Sequence, residues 1–237
     1  MIRLAEVPAH LDAVVPLADA MEEELACWQA RVGDILTMVD PDGFFFRARL
    51  LPSRREVVVF ETVSRAVEPL HPRWLCPAIP DRERMLVILQ KAVELGATDI
   101  IPLVTEHSSA AGGRRHGQDK SATWSRIVLQ AARQCRRAII PRLHAHRSLS
   151  SFLAEEVVEK RAFLDTREPR VPLNHWHDPH QALAIMCGPE GGWSEGERLL
   201  MVEHHVTAVS LGRRLLRTET AAVAAMAVVT MLDDTFT

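Results

Sequence analysis

Short apolar runs broken by turn residues fill the stretch from Gly33 to Glu61, which reads GDILTMVDPDGFFFRARLLPSRREVVVFE. Asp-Pro-Asp-Gly and Pro-Ser at that spacing predict hairpins and a small β domain. After about residue 72 the pattern changes to alternating helix and strand. RWLCPAIP predicts a short strand. DRERMLVILQKAVELGATD predicts a helix that starts with Asp81 as N-cap and stops at Gly96, burying Met85, Ile88, Leu89, Ala92 and Val93. DIIPLV follows as a strand. A second helix, around 121 to 137, turns Trp124, Ile127, Val128, Ala131 and Cys135 inward and spreads Arg126, Arg133, Arg136 and Arg137 over its other faces and end. AFLD at 162–165 and LAIMCG are further strands. Ser194 has the capping-box spacing to Glu197, which places a helix start there. A short strand, AVSLG, and an alanine-rich helix capped by Thr218 and running to about Leu232 close the chain. Alternation of this kind predicts an α/β fold with a mostly parallel sheet covered on both faces. The expected division is 1–70 for the β domain and 72–237 for the α/β domain.

Charge sharpens this picture. The net charge is only −3, but residues 1–30 hold six acids against the single base Arg3. Residues 110–150 hold nine bases (Arg114, Arg115, Lys120, Arg126, Arg133, Arg136, Arg137, Arg142, Arg147) against Asp119 alone. Such a segment fits a polyanion, or equally a solvated helix face with a loop. Cys27, Cys76, Cys135 and Cys187 form no metal-ligand pattern, so free thiols and a cytoplasmic setting are expected. The eleven histidines are scattered without ligand spacing, so no metal is expected, and His175, Trp176 and His177 read as a loop. No run approaches the ~20 apolar residues of a membrane helix.

Candidate chemistry lies in two loops after buried strands: GPEGGW (Gly188–Trp193) and LGRRLLRTET (Leu211–Thr220). In an open α/β sheet, ligands gather at the carboxyl ends of strands, and both loops fall there. Each alone also reads as a tight turn. GxxxxGK[ST] and an early GxGxxG are both absent, which excludes the usual triphosphate and dinucleotide loops. Glu190 would repel a triphosphate but suits a ligand with positive charge or hydroxyl donors, such as a sulfonium compound.

GPEGGWSEGE followed by LGRRLLRTETAAVAAMAVV closely resembles the two signature segments of the 16S ribosomal RNA uridine-N3 methyltransferases, members of the SPOUT superfamily. RMLVILQKAVELGATDIIPLVTEHS and WSRIVLQAARQCRRAIIPRL match in family order, so the resemblance spans about 72–237. It implies a C-terminal SPOUT domain with a deep trefoil knot, a small N-terminal PUA-like β-barrel for RNA binding, and a homodimer. It further implies S-adenosylmethionine as methyl donor and 16S ribosomal RNA, or the small ribosomal subunit, as partner. On this resemblance Leu164, Gly188, Pro189, Glu190, Gly191, Leu211, Gly212, Leu216, Thr218 and Thr220 contact the cofactor. Arg217 orients substrate or stabilises charge, or else pairs with Glu190 or Glu219. Arg114, Arg115, Arg126, Arg133, Arg136 and Arg137 are the candidate RNA contacts. The chain departs from the family in the acidic stretch EEELACWQARVGD, in Arg213 after Gly212, and in Arg133 before Gln134. These departures leave room for another RNA or base atom as target, or for a noncatalytic ribosome-assembly role.

Overall fold

Strand-forming sequence at both ends of the chain meets two different fates. Residues 35–63 fold back on themselves by short turns, whereas the later strands align in parallel, most of them joined through a helix or a loop. The computed structural model describes residues 1–63, 67–108, 121–155 and 158–235. By internal contacts these divide into one unit of 1–68 with 129–140, and another of 69–128 with 141–237. The first unit thus takes in residues 129–140, which the expected division at about 70 left to the second.

The first unit holds β1 (Val14–Pro16), α1 (Glu22–Cys27), β2 (Ile35–Val39), β3 (Phe45–Leu50) and β4 (Glu56–Val63). They form an antiparallel sheet in the order β1-β4-β3-β2. Along β4 the buried Val57 and Val59 alternate with exposed or half-buried neighbours, the two-residue period of a half-covered strand. Asp40 closes the β2–β3 turn by accepting the amide of Phe44 at 2.8 Å.

The second unit runs through β5 (Arg73–Pro77), α2 (Arg82–Glu94), β6 (Asp99–Ile100), β7 (Leu103–Val104) and α3 (Ser121–Gln134), whose C-terminal part counts with the first unit. It continues with β8 (Arg142–Leu143), β9 (Arg147–Ser148), α4 (Leu149–Ala154), β10 (Lys160–Leu164), β11 (Val171–Pro172), α5 (Leu173–Trp176), β12 (Leu183–Cys187), α6 (Glu195–Glu203), β13 (Thr207–Ser210) and α7 (Thr218–Thr235). Seven strands make one parallel sheet in the order β11-β13-β10-β12-β5-β6-β8. All of β12 is buried, as befits a central parallel strand. Cys76, Phe163, Ala184 and Met186 pack on one sheet face with Leu149, Phe152 and Leu153 of α4 and Met201 of α6. Helices α2 and α7 pack together, with α7 also against β5 and β12.

Several details depart from the sequence expectation. DIIPLV is two strands, because Pro102 has no amide to continue a ladder: β6 stays in the main sheet and β7 pairs with β9. Helix α3 ends at Gln134, before Arg136 takes a left-handed backbone at φ 57°. Val128 and Ala131 are buried, but Trp124, Ile127 and Cys135 only partly so. His175, Trp176 and His177 are no solvated loop. Trp176 is buried at the end of α5, and the His177 ring faces the Asp233 carboxylate at 2.8 Å. Helix α2 starts at Asp81 and buries the five apolar residues expected of it.

Candidate functional site: a three-loop cleft

The strand ends β10, β12 and β13 are neighbours in the sheet, and the loops after them line one cleft of about 550 Å³. That size lies within the range typical of small-molecule sites.

The first loop leaves β10 at Leu164. The Asp165 carboxylate accepts the amides of Thr166 (2.7 Å) and Arg167 (3.1 Å), turning the chain sharply, and also pairs with Arg198 of α6. The second loop, Gly188–Trp193, is fastened at its C-terminal end. The Trp193 indole N–H donates to the Leu164 carbonyl at 3.0 Å, and its ring meets Phe163 edge-on. His107 Nδ1 donates to the Gly192 carbonyl at 3.1 Å. A Cβ on Gly191 would lie 2.8 Å from His107 Cβ, so no other residue fits without displacing backbone. The loop then enters α6 through a complete capping box between Ser194 and Glu197.

The third loop follows β13. Gly212 has φ +110°, a conformation open to glycine and strained for any side chain. Residues 213–215 and Arg217 are exposed, and Leu215 is 84 % exposed between Arg214 and Leu216. Thr218, expected as the cap of the last helix, is instead its first residue: the Arg217 carbonyl accepts the Ala221 amide at 2.8 Å.

Leu164, Gly188, Pro189, Glu190, Gly191, Leu211, Gly212, Leu216 and Thr218 all line the cleft, and Arg217 lines it with them. Thr220 does not; it is exposed on α7. The lining also includes Asp165, Trp193 and Arg214, and with them Arg84 and Val209, which sequence reasoning did not place there. Arg84 stands out. Its guanidinium pairs with Asp81 (3.1 Å), Glu190 and Glu219 (3.4 Å), and the hydrogen bond it donates to Glu190 holds it charged more firmly than usual. The two carboxylates considered as partners for Arg217 therefore belong to Arg84. Among the described residues no carboxylate pairs with Arg217.

Beneath the second loop, Cys187 ends β12 fully enclosed. Burial pushes its thiol up to about 12 and likewise raises that of Cys76, so neither is a nucleophile at neutral pH. Among the described residues no cluster of His, Cys, Asp or Glu is arranged to hold a metal ion.

The basic residues are dispersed. Arg126 and Arg136 are exposed. Arg133 donates to the carbonyls of Trp28 and Gln29 (both 3.0 Å) and pairs with Asp34 at 2.6 Å. Arg137 is 5 % exposed, with its guanidinium against Glu68. Both guanidiniums are thus engaged by partners within the protein, and a pinned guanidinium has few donors left to offer. Arg114 and Arg115 lie outside the described residues.

Comparison with known proteins supplies the relationship. The model of the RNA methyltransferase domain matches residues 68–230. A ribosomal RNA small subunit methyltransferase E from Synechocystis is 32% identical over 240 residues, covering 97% of this chain and 77% of the relative. The chain belongs to the ribosomal RNA small subunit methyltransferase E family. A further family member, from Buchnera aphidicola, is 26% identical over 209 residues, covering 86% of this chain and 82% of its own. The crystal structure of the Neisseria gonorrhoeae methyltransferase E, bound to S-adenosyl methionine, superposes with TM-score 0.68 at 31% identity and covers 98% of each chain. A Legionella pneumophila putative methyltransferase with bound cofactor gives 0.65 at 28%, again over 98% of each chain.

Proposed function

We propose that this protein transfers a methyl group from S-adenosylmethionine to N3 of a uridine in 16S ribosomal RNA of the small ribosomal subunit. The observation that carries the reading is the convergence of three loops, at adjacent parallel strand ends, on a cleft in a chain of the methyltransferase E family. The residues present suit the donor. Bare backbone at Gly188, Gly191 and Gly212 offers amides and carbonyls to a heterocycle and a ribose. Leu164, Leu211 and Leu216 offer apolar surface to an adenine.

When bound, the donor supplies an activated methyl on a sulfonium. The chain's own task is then alignment and exclusion of water. Uridine N3 must lose its proton, and Arg217, which lines the cleft with no ion pair among the described residues, is assigned to stabilising the anion that develops. No side chain is assigned as general base. N3 is the pairing edge of uridine, so the target base must be unpaired or flipped out. The exposed Arg126 and Arg136 are assigned to phosphates, together with Arg114 and Arg115.

The finer architecture belongs to the same proposal: the C-terminal segment forms a deep trefoil knot, the antiparallel unit is a PUA-like β-barrel that binds RNA, and two chains form a cytoplasmic homodimer. The acidic first turn of α1, Glu22–Glu24, favours one alternative, the same chemistry on a different RNA. Labelled S-adenosylmethionine incubated with 30S subunits and with naked transfer RNA separates the two. Label in the 30S fraction, mapped by mass spectrometry to N3 of one uridine, is expected. Label confined to transfer RNA would overturn the ribosomal assignment.

A further inference from the structure

We propose that Arg84 is a positioning residue of the donor cleft, tying the glycine loop after β12 to the first turn of α7. The inference rests on the reading of the cleft as the donor site. Arg84 is held at its own root, because its amide donates to the Asp81 side chain at 3.0 Å at the start of α2. From there its guanidinium reaches Glu190 in the second loop and Glu219 directly after the third. Glu190 also accepts the Asp81 amide at 3.3 Å.

One cation thus faces three carboxylates on three separate segments: Asp81, Glu190 and Glu219. Among the described residues Glu190 and Glu219 have no other cationic partner. Glu219 Oε2 is buried without a hydrogen bond, and among the described residues Arg84 is the cation that faces its charge. Loops that line a site hold their shape only when fastened to rigid elements. The first and second loops are fastened to one another by Trp193 and the Leu164 carbonyl. Arg84 is the corresponding tie between the second loop and the third. Without it, Glu190 and Glu219 are left as like charges with nothing between them, and the walls of the cleft lose their set separation.

Calorimetric titration of the full chain with S-adenosylmethionine tests this. Arg84→Ala is expected to weaken donor binding about five- to tenfold, with the loss falling on donor KM more than on kcat. Arg84→Lys, a point charge without the fork, recovers part of it. Adding Glu219→Gln to Arg84→Ala removes the repulsion without touching the cleft lining and also recovers part, a response that simple loss of packing would not give. Arg84→Gln keeps the stem and loses the charge, and it serves by the same criteria if the alanine variant does not fold. Affinity of Arg84→Ala within about twofold of the parent, or a double variant weaker than the single, overturns the positioning role alone. A parent protein that does not bind the donor overturns the proposed function as well, which keeps the two failures apart.

Discussion

Gly191 and Arg217 represent the two kinds of work a single residue does at this cleft. Gly191 is constrained by space, since a Cβ there meets His107 at 2.8 Å. Gly191→Ala is therefore expected to cost about 1–3 kcal/mol of stability through overpacking. It should also weaken donor binding, measurable as a lower melting temperature and a smaller shift on adding S-adenosylmethionine. Arg217 is constrained by charge. It lines the cleft, is exposed, and has no ion pair among the described residues, so its removal disturbs little of the fold. Arg217→Ala should lower kcat by about 10²–10³, with donor affinity within about twofold of the parent. Equal losses in both would assign Arg217 to donor binding instead. Arg217 could be named from the sequence because its motif is contiguous. Arg84 could not, because its partners lie at positions 190 and 219 and only folding brings them together.

Among the elements, α6 shows local sequence and site geometry acting together. The Ser194–Glu197 box satisfies amides at the helix start and thereby fixes the exit of the glycine loop. Ser194→Ala is expected to lower stability by about 1 kcal/mol, seen as a reduced urea midpoint at unchanged slope. Helices α2 and α6 could be read from residues a few places apart, because a cap and an apolar stripe are local signals. Strands β6 and β7 could not be separated that way: Pro102 announces an interruption, but only the sheet decides which strand pairs on either side. The stop of α3 was read too late for a related reason. Its arginines favour helix as well as any residue, and the turn at Arg136 answers to tertiary bonds such as that from Thr37 to the Arg136 carbonyl.

For the second unit as a whole, a charged knot of side chains links the last helix to the sheet. Arg73, 2 % exposed, pairs with Asp233 of α7 at 2.6 Å and donates to the carbonyls of Gln181 and Pro179, while His177 meets the same carboxylate. Burial alone would raise the Asp233 carboxyl, but the hydrogen bonds and charges of His177 and Arg73 outweigh it and hold it below the usual carboxylate range. A carboxyl depressed in the folded state stabilises at pH above its unfolded value, near ~3.9, and that contribution fades as pH falls through the lower folded value. Unfolding free energy measured from pH 7 down to 3 should therefore fall at the acid end, and less steeply for Asp233→Asn. Asp233→Ala leaves Arg73 buried without its carboxylate and should cost about 3 kcal/mol or more at pH 7.

Periodicity, caps and the two glycine-bearing segments were enough to establish the alternation of helix and strand, the starts of α2 and α6, and most of the lining of the cleft. Each of these is encoded within a span of a few residues, where backbone geometry leaves little choice. Only the tertiary structure decided that the strands β10, β12 and β13 lie side by side. It likewise decided that Arg84 and not Arg217 neutralises Glu190 and Glu219, and that Arg133 and Arg137 serve as internal braces. Charge pairing acts through space, so the partner of a buried or half-buried ion is fixed by which distant segments the core brings within a few ångströms.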